Sequence, residues 1–123
     1  RDPWSVLKKI RKHLPKNGCV VACIPNAQHW SLQAKLNIGD FRYEKAGLLD
    51  KTHLRWFTRQ TIIEMFNSEG FVIEAGCPRV FNEPGREPFL AAIEVMAKAA
   101  GADVQLALSD ALPLQYVVRA IAN

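Results

Sequence analysis

No apolar run in this sequence approaches the roughly 20 residues that a bilayer-spanning helix needs, so no transmembrane helix and no membrane partner are expected. The first 16 residues are basic and amphipathic and lack the apolar centre of a secretory signal. Cysteine is scarce. Cys19, Cys23 and Cys77 are an odd count and give no disulfide framework. Cys19 and Cys23 alternate with small apolar residues and are expected to fill the core. No His or Cys pair follows them at finger spacing, so no metal site is expected. Cytoplasm is the expected compartment. The seven glycines are scattered, and none forms Gly-x-Gly where a strand would run into a helix. The backbone cradle that grips a nucleotide-like cofactor is therefore missing. The chain begins at Arg1 rather than Met, which reads as processing or as a piece of a longer protein.

The chain has 123 residues, 49% apolar and 23% charged, enough for one domain with one core. The net charge of +4 is concentrated at one end. Arg1, Lys8, Lys9, Arg11, Lys12 and Lys16 face only Asp2 in the first 16 residues, a net of +5, which leaves −1 for the rest. This reads as a solvated helix face. No RNA-binding aromatic motif or helix-turn-helix pattern accompanies it, so a nucleic-acid partner is not expected.

Asp2-Pro3 is a helix start, because Asp caps free amides and Pro fits the first turn. Trp4, Leu7, Ile10 and Leu14 then repeat at helical spacing, and Pro15 and Gly18 close the helix. Residues 18–24 are continuously apolar, as in a strand covered on both faces, and Pro25-Asn26 ends it. Residues 28–38 predict a helix with Trp30, Ala34 and Ile38 on one face. Residues 41–57 are irregular. Thr58 caps a third helix whose buried face is Ile62, Ile63, Met65 and Phe66, and Gly70 stops it. Residues 71–75 predict a second strand. Four loop-forming residues, Pro78, Pro84, Gly85 and Pro88, assign residues 77–88 to a loop. A helix from Pro88 to Gly101, a short helical piece at 104–108 and a final strand at 114–121 complete the order. That last strand is expected to run antiparallel, at an edge of a mostly parallel sheet.

The densest chemistry lies in Gly47-Leu48-Leu49-Asp50-Lys51-Thr52-His53-Leu54-Arg55-Trp56-Phe57-Thr58. A strand, a polar aromatic loop and a helix start are how open α/β sheets build the rim of a ligand crevice. Three segments carry a family resemblance. Leu7 to Val21 reads as a helix, a glycine and an apolar strand. Ile24-Pro25-Asn26 is the second. Asp50-x-x-His53-x-Arg55-x-Phe57-Thr58, followed by Glu69-Gly70-Phe71, is the third. With these, residues 1–75 resemble the C-terminal half of a class I S-adenosylmethionine-dependent methyltransferase. The third segment is similar to a bacterial subgroup linked to sugar and cell-surface polysaccharide modification.

The resemblance implies an α/β fold: a partial Rossmann-like sheet of about three strands, the last antiparallel, with flanking helices. It implies one domain over 1–123, the acceptor side of the fold, with the donor-binding half lying before Arg1. S-adenosylmethionine would serve the full-length protein, and this chain alone is expected neither to hold it tightly nor to be active. The partner would be a saccharide or other small-molecule acceptor, methylated on oxygen or nitrogen. His53 would take the acceptor's proton, with Asp50 orienting it. Arg55 would bind an acidic group of the acceptor bidentately. Asn26 and His29, at the strand end, and Tyr43 would complete the acceptor site. The plainer reading makes Asp50 and Asn26 turn residues, His53 a partner of loop carbonyls, and Tyr43 and Trp56 packing residues. A half-sheet also leaves the strand at 18–24 with an open edge, and a homodimer through that edge is expected. A rival reading is a non-catalytic binding or dimerisation module, such as an accessory domain of a glycosyltransferase.

Overall fold

The computed structural model describes every residue except Arg1, Thr52 and Leu54. Within the described residues the chain is α/β, with five helices and a three-stranded sheet. The first helix, α1 (Pro3–His13), starts where the Asp2 side chain accepts the Ser5 N–H. β1 (Cys19–Pro25) follows, then α2 (Trp30–Asn37). α3 (Arg59–Ser68) is opened by a reciprocal cap in which Thr61 N–H donates to Thr58 Oγ1 and Thr58 N–H donates to Thr61 Oγ1. Gly70, with φ +83°, turns the chain from α3 into β2 (Phe71–Val80), a conformation that a side chain would strain. α4 (Glu87–Ala99), α5 (Val104–Asp110) and β3 (Pro113–Ala122) complete the order.

The strand order is β1-β3-β2, and both pairings are antiparallel. The last strand is antiparallel as expected, but it lies in the centre of the sheet rather than at an edge, so β1 and β2 never meet. Along β3, Tyr116, Val118, Ala120 and Ala122 point to one face and are buried. α1 and α3 cover that face, closing a core around Leu7, Ile62, Met65, Phe66 and Phe71. Phe66 and Phe71 meet edge to face at 6.0 Å across the turn at Gly70. Each contributes about 2–3 kcal/mol through its burial.

The opposite face is bare. Cys19, Val21 and Cys23 on β1, and Val72, Glu74 and Cys77 on β2, are exposed. An Arg119–Glu74 ion pair lies across its middle. This corrects the core placement expected of Cys19 and Cys23. A continuous apolar run cannot tell which of its alternate residues find a cover, and here only Val20, Ala22 and Ile24 do. β2 also runs five residues further than expected, through Pro78. It is an edge strand, where a proline's missing N–H costs no ladder bond. In α2 the buried residue is Leu32, while Ile38 is exposed, and in α3 Ile63 lies on the outer side. Lys8, Lys9 and Lys12 of α1 are exposed. No helix among the described residues is long and apolar enough to cross a membrane.

Candidate functional site

β1 ends at Pro25, and the next residue, Asn26, is fully buried. Its Nδ2 donates to the carbonyls of Asp110 (2.8 Å) and Pro113 (2.9 Å), and its Oδ1 accepts the Gln28 N–H at 2.9 Å. The amide thus ties the end of β1 to the turn between α5 and β3 and leaves neither N–H for a ligand. His29, also buried, caps α2. Its Nδ1 accepts the Ser31 N–H at 3.3 Å, which puts the ring proton on Nε2. Ser31 Oγ donates to the same Nδ1 at 2.7 Å, and Nε2–H donates to Glu83 Oε1 at 3.0 Å. Trp30 Nε1 donates to that same carboxylate oxygen at 3.1 Å, and its ring stacks on Phe89 at 5.2 Å. Both nitrogens of His29 are therefore engaged, and the residue fixes α2 against the loop that follows β2.

The second group is carried by residues 40–57. This segment folds back on itself: Glu44 N–H donates to Leu49 O, and Lys51 N–H to Glu44 O. Lys35 of α2 holds it through Glu44 at 2.8 Å. Asp50 is half-buried and accepts the His53 N–H through its backbone carbonyl at 2.9 Å. The His53 side chain is also half-buried, and its Nδ1–H donates to Leu48 O at 3.0 Å. A carbonyl can only accept, so this bond fixes the tautomer and makes Nε2 the basic nitrogen. The Leu48 carbonyl is thus what orients the ring at Nδ1. Trp56 meets His53 edge to face at 6.0 Å, Phe41 meets Trp56 at 6.0 Å, and exposed Tyr43 meets Phe41 at 5.6 Å. Arg55 is exposed and lines an apolar groove of about 460 Å³ between α1, α3 and β1. The segment reaches the sheet where Ala27 N–H donates to Phe57 O at 2.8 Å, beside the end of β1.

The six residues singled out in the sequence therefore fall into two groups. Tyr43, Asp50 and His53 share the aromatic segment, and Arg55 lies at its end. Asn26 and His29 sit behind them as braces. Four polar residues were missed: Glu83, Arg59, Asp110 and Tyr116. Arg59 Nε donates to both carboxylate oxygens of Asp110, at 3.0 and 3.2 Å. The buried Tyr116 hydroxyl has no hydrogen-bond partner, and its pKa is pushed up to about 12 by burial and then by the Asp110 charge, with Arg59 opposing. Nothing local marks these residues, because Glu83 meets His29 from 54 positions away and Asp110 meets Arg59 from 51.

The residues present do not fit a nucleoside-type methyl donor. No Gly-x-Gly turn follows β1, the Asn26 amide is already bonded, and the His29 side chain occupies the start of α2. Among the described residues no group of three His, Cys, Asp or Glu comes together as a metal site. A comparison with known proteins finds no family model that matches this chain and no curated protein that matches it.

Proposed function

We propose that this chain is the acceptor-side portion of an S-adenosylmethionine-dependent methyltransferase acting on a hydroxyl or amine of a saccharide or other small molecule. The observation that carries the reading is His53: a half-buried imidazole, fixed by Leu48 O with Nε2 basic and walled by Trp56, in the segment whose Phe57 meets the end of β1. Such a group can take a proton from an acceptor as it is methylated. Tyr43 and Phe41 offer aromatic surface for a sugar ring, and Arg55 a charge for an acidic substituent. Methyl transfer is a direct displacement, so positioning supplies much of the rate. The bare sheet face and the antiparallel last strand also support the reading, since the resemblance implies a missing half and an antiparallel final strand. The donor grip would come from that half. Calorimetric titration with S-adenosylhomocysteine tests this. The chain extended upstream by its own coding sequence is expected to bind it, and the 123-residue chain is not. Binding by neither form removes the methyltransferase reading.

One observation favours the rival reading, a dimerisation module. Asn26 N–H donates to Leu114 O, and Ala122 N–H to Gly18 O, so the even-numbered residues of β1 face β3. The N–H and C=O groups of Cys19, Val21 and Cys23 therefore line the outer edge, and Pro25 ends the row without a donor. Two copies paired antiparallel about Val21 would extend the sheet through this edge. Val21→Pro removes the central donor without breaking a bond inside the chain. It is expected to leave thermal stability nearly unchanged and to convert a dimer to a monomer in light scattering. A wild-type monomer at high concentration removes the reading.

A further inference from the structure

Ser31, His29 and Glu83 form a hydrogen-bonded row. Ser31 Oγ donates to His29 Nδ1 at 2.7 Å, and His29 Nε2–H donates to Glu83 Oε1 at 3.0 Å. A hydroxyl, an imidazole with its lone pair toward that hydroxyl and a carboxylate behind the ring are the parts of an activated serine. The two ring nitrogens are exchanged relative to the serine-protease order, which leaves the three roles unchanged. Capping of α2 does not account for the row. A cap needs only the Ser31 N–H, and that bond to Nδ1 is the longer one, at 3.3 Å. Glu83 comes from 54 positions away, and Trp30 Nε1 also donates to its Oε1, at 3.1 Å. Arg86 Nη1 lies 4.0 Å from the same oxygen. The carboxylate is thus pinned behind a ring whose side chain is 2% exposed. Ser31 itself is half-buried and lines a cavity of about 150 Å³ with Leu32, Lys35, Leu48, Leu49 and Leu114. Ser31 and Lys35 stand one turn apart on α2, so their side chains are what meet the cavity. Lys35 Nζ donates there to Glu44 Oε1 at 2.8 Å.

We infer that Ser31 is a second reactive centre, a nucleophile that takes the acyl group of a small neutral ester. Ser31 Oγ bonds to the acyl carbon while its proton passes to His29 Nδ1. That proton then goes to the leaving alcohol oxygen as the ester C–O bond breaks. Water repeats the two steps against the acyl-serine, releasing a carboxylic acid and restoring the Ser31 hydroxyl. Glu83 does not take a proton. It holds the ring and offsets the positive charge that the imidazole gains. Lys35 brings a cation to the cavity where the carbonyl oxygen becomes negative. The acyl chain is short, because a cavity of about 150 Å³ takes up a molecule the size of benzene. The leucines of its wall select an apolar chain over a charged one. The inference does not depend on the methyl-transfer reading.

The test is reaction of the chain with p-nitrophenyl acetate, followed by mass mapping of its peptides. An acetyl group is expected on Ser31 and not on Ser5, Ser68 or Ser109, the other serines of the sequence. Release of p-nitrophenolate is expected to continue past one equivalent as water frees the serine. Phenylmethylsulfonyl fluoride, which forms an Oγ–S bond and expels fluoride, is expected to label Ser31 and stop the release. Ser31→Ala is expected to abolish it. Glu83→Gln separates a catalytic row from a structural one. Its amide oxygen still accepts from His29 Nε2 and Trp30 Nε1, so the ring stays in place and only the charge is lost. It is expected to lower kcat about tenfold or more with KM unchanged. Mapping the parent chain needs no variant to fold. An unacetylated Ser31, equal acetylation of all the serines, a Ser31→Ala variant as active as the parent, or a folded Glu83→Gln variant as fast as the parent would each overturn the site.

Discussion

Asn26→Ala is expected to destabilise the protein by about 3 kcal/mol, the largest loss from any single polar side chain here. Three bonds go at once. The carbonyls of Asp110 and Pro113 lose their donors, and the Gln28 N–H loses its acceptor. Asp110 and Pro113 are buried, so water does not readily replace what is lost. The cost exceeds that of an ordinary surface hydrogen bond for that reason. For a chain of 123 residues the melting temperature is expected to fall by on the order of 10 °C. Asn26→Asp keeps the volume but turns two donors into a negative oxygen facing two carbonyl oxygens. It is expected to be worse than alanine at neutral pH. Denaturant unfolding of the two variants decides the matter. If Asp is tolerated better than Ala, Asn26 acts by filling space and not by donating.

Asn26 also marks where the sequence ceases to be legible. Its position at a strand end is written locally, in the run from Gly18 to Pro25. What it binds is not, because Asp110 and Pro113 lie 84 and 87 residues away. The same division runs through the whole chain. The helix starts at Asp2-Pro3 and Thr58 and the turn at Gly70 are local chemistry, and the structure agrees with all three. The extent of β2 is not local. Pro78 looks like a stop, and only the strand's place at the sheet edge makes it harmless. The outward-facing cysteines of β1 depend on whether a second layer covers the sheet, which no window of eight residues can report. His53 was readable because its partner, Leu48, is five residues away. The Arg59–Asp110 pair was not, because its two residues lie 51 positions apart and neither carries a motif.

The buried Tyr116 phenol makes stability depend on pH. Burial raises its pKa from 10.0 to about 12, so the folded chain holds this proton more tightly than the unfolded chain does. The stabilisation is fully present below about pH 10 and is lost as pH rises through about 12. Unfolding titrations at alkaline pH are expected to show this loss in the parent and not in Tyr116→Phe.

His53→Ala, made in the upstream-extended protein, is expected to lower kcat for methyl transfer by about 10²–10⁴-fold, the range in which a positioned general base acts. The loss alone would not separate a base from a structural residue, because alanine also removes the bond to Leu48 O and frees the segment it holds. Asn is the variant that separates them. Its side-chain N–H₂ lies nearly where Nδ1–H lies in histidine, so His53→Asn keeps the Leu48 bond while offering no basic nitrogen where Nε2 stood. If His53 is the base, His53→Asn is expected to be as slow as His53→Ala, with KM for the acceptor close to the parent's. If His53 only pins the segment, His53→Asn recovers most of the rate, and the assignment of His53 as base fails. Asp50→Asn belongs in the same series. The Asp50 backbone already accepts the His53 N–H, and the Leu48 carbonyl already sets the ring at Nδ1. Its effect on kcat is therefore expected to be smaller than that of His53→Asn, since these two bonds that hold His53 survive.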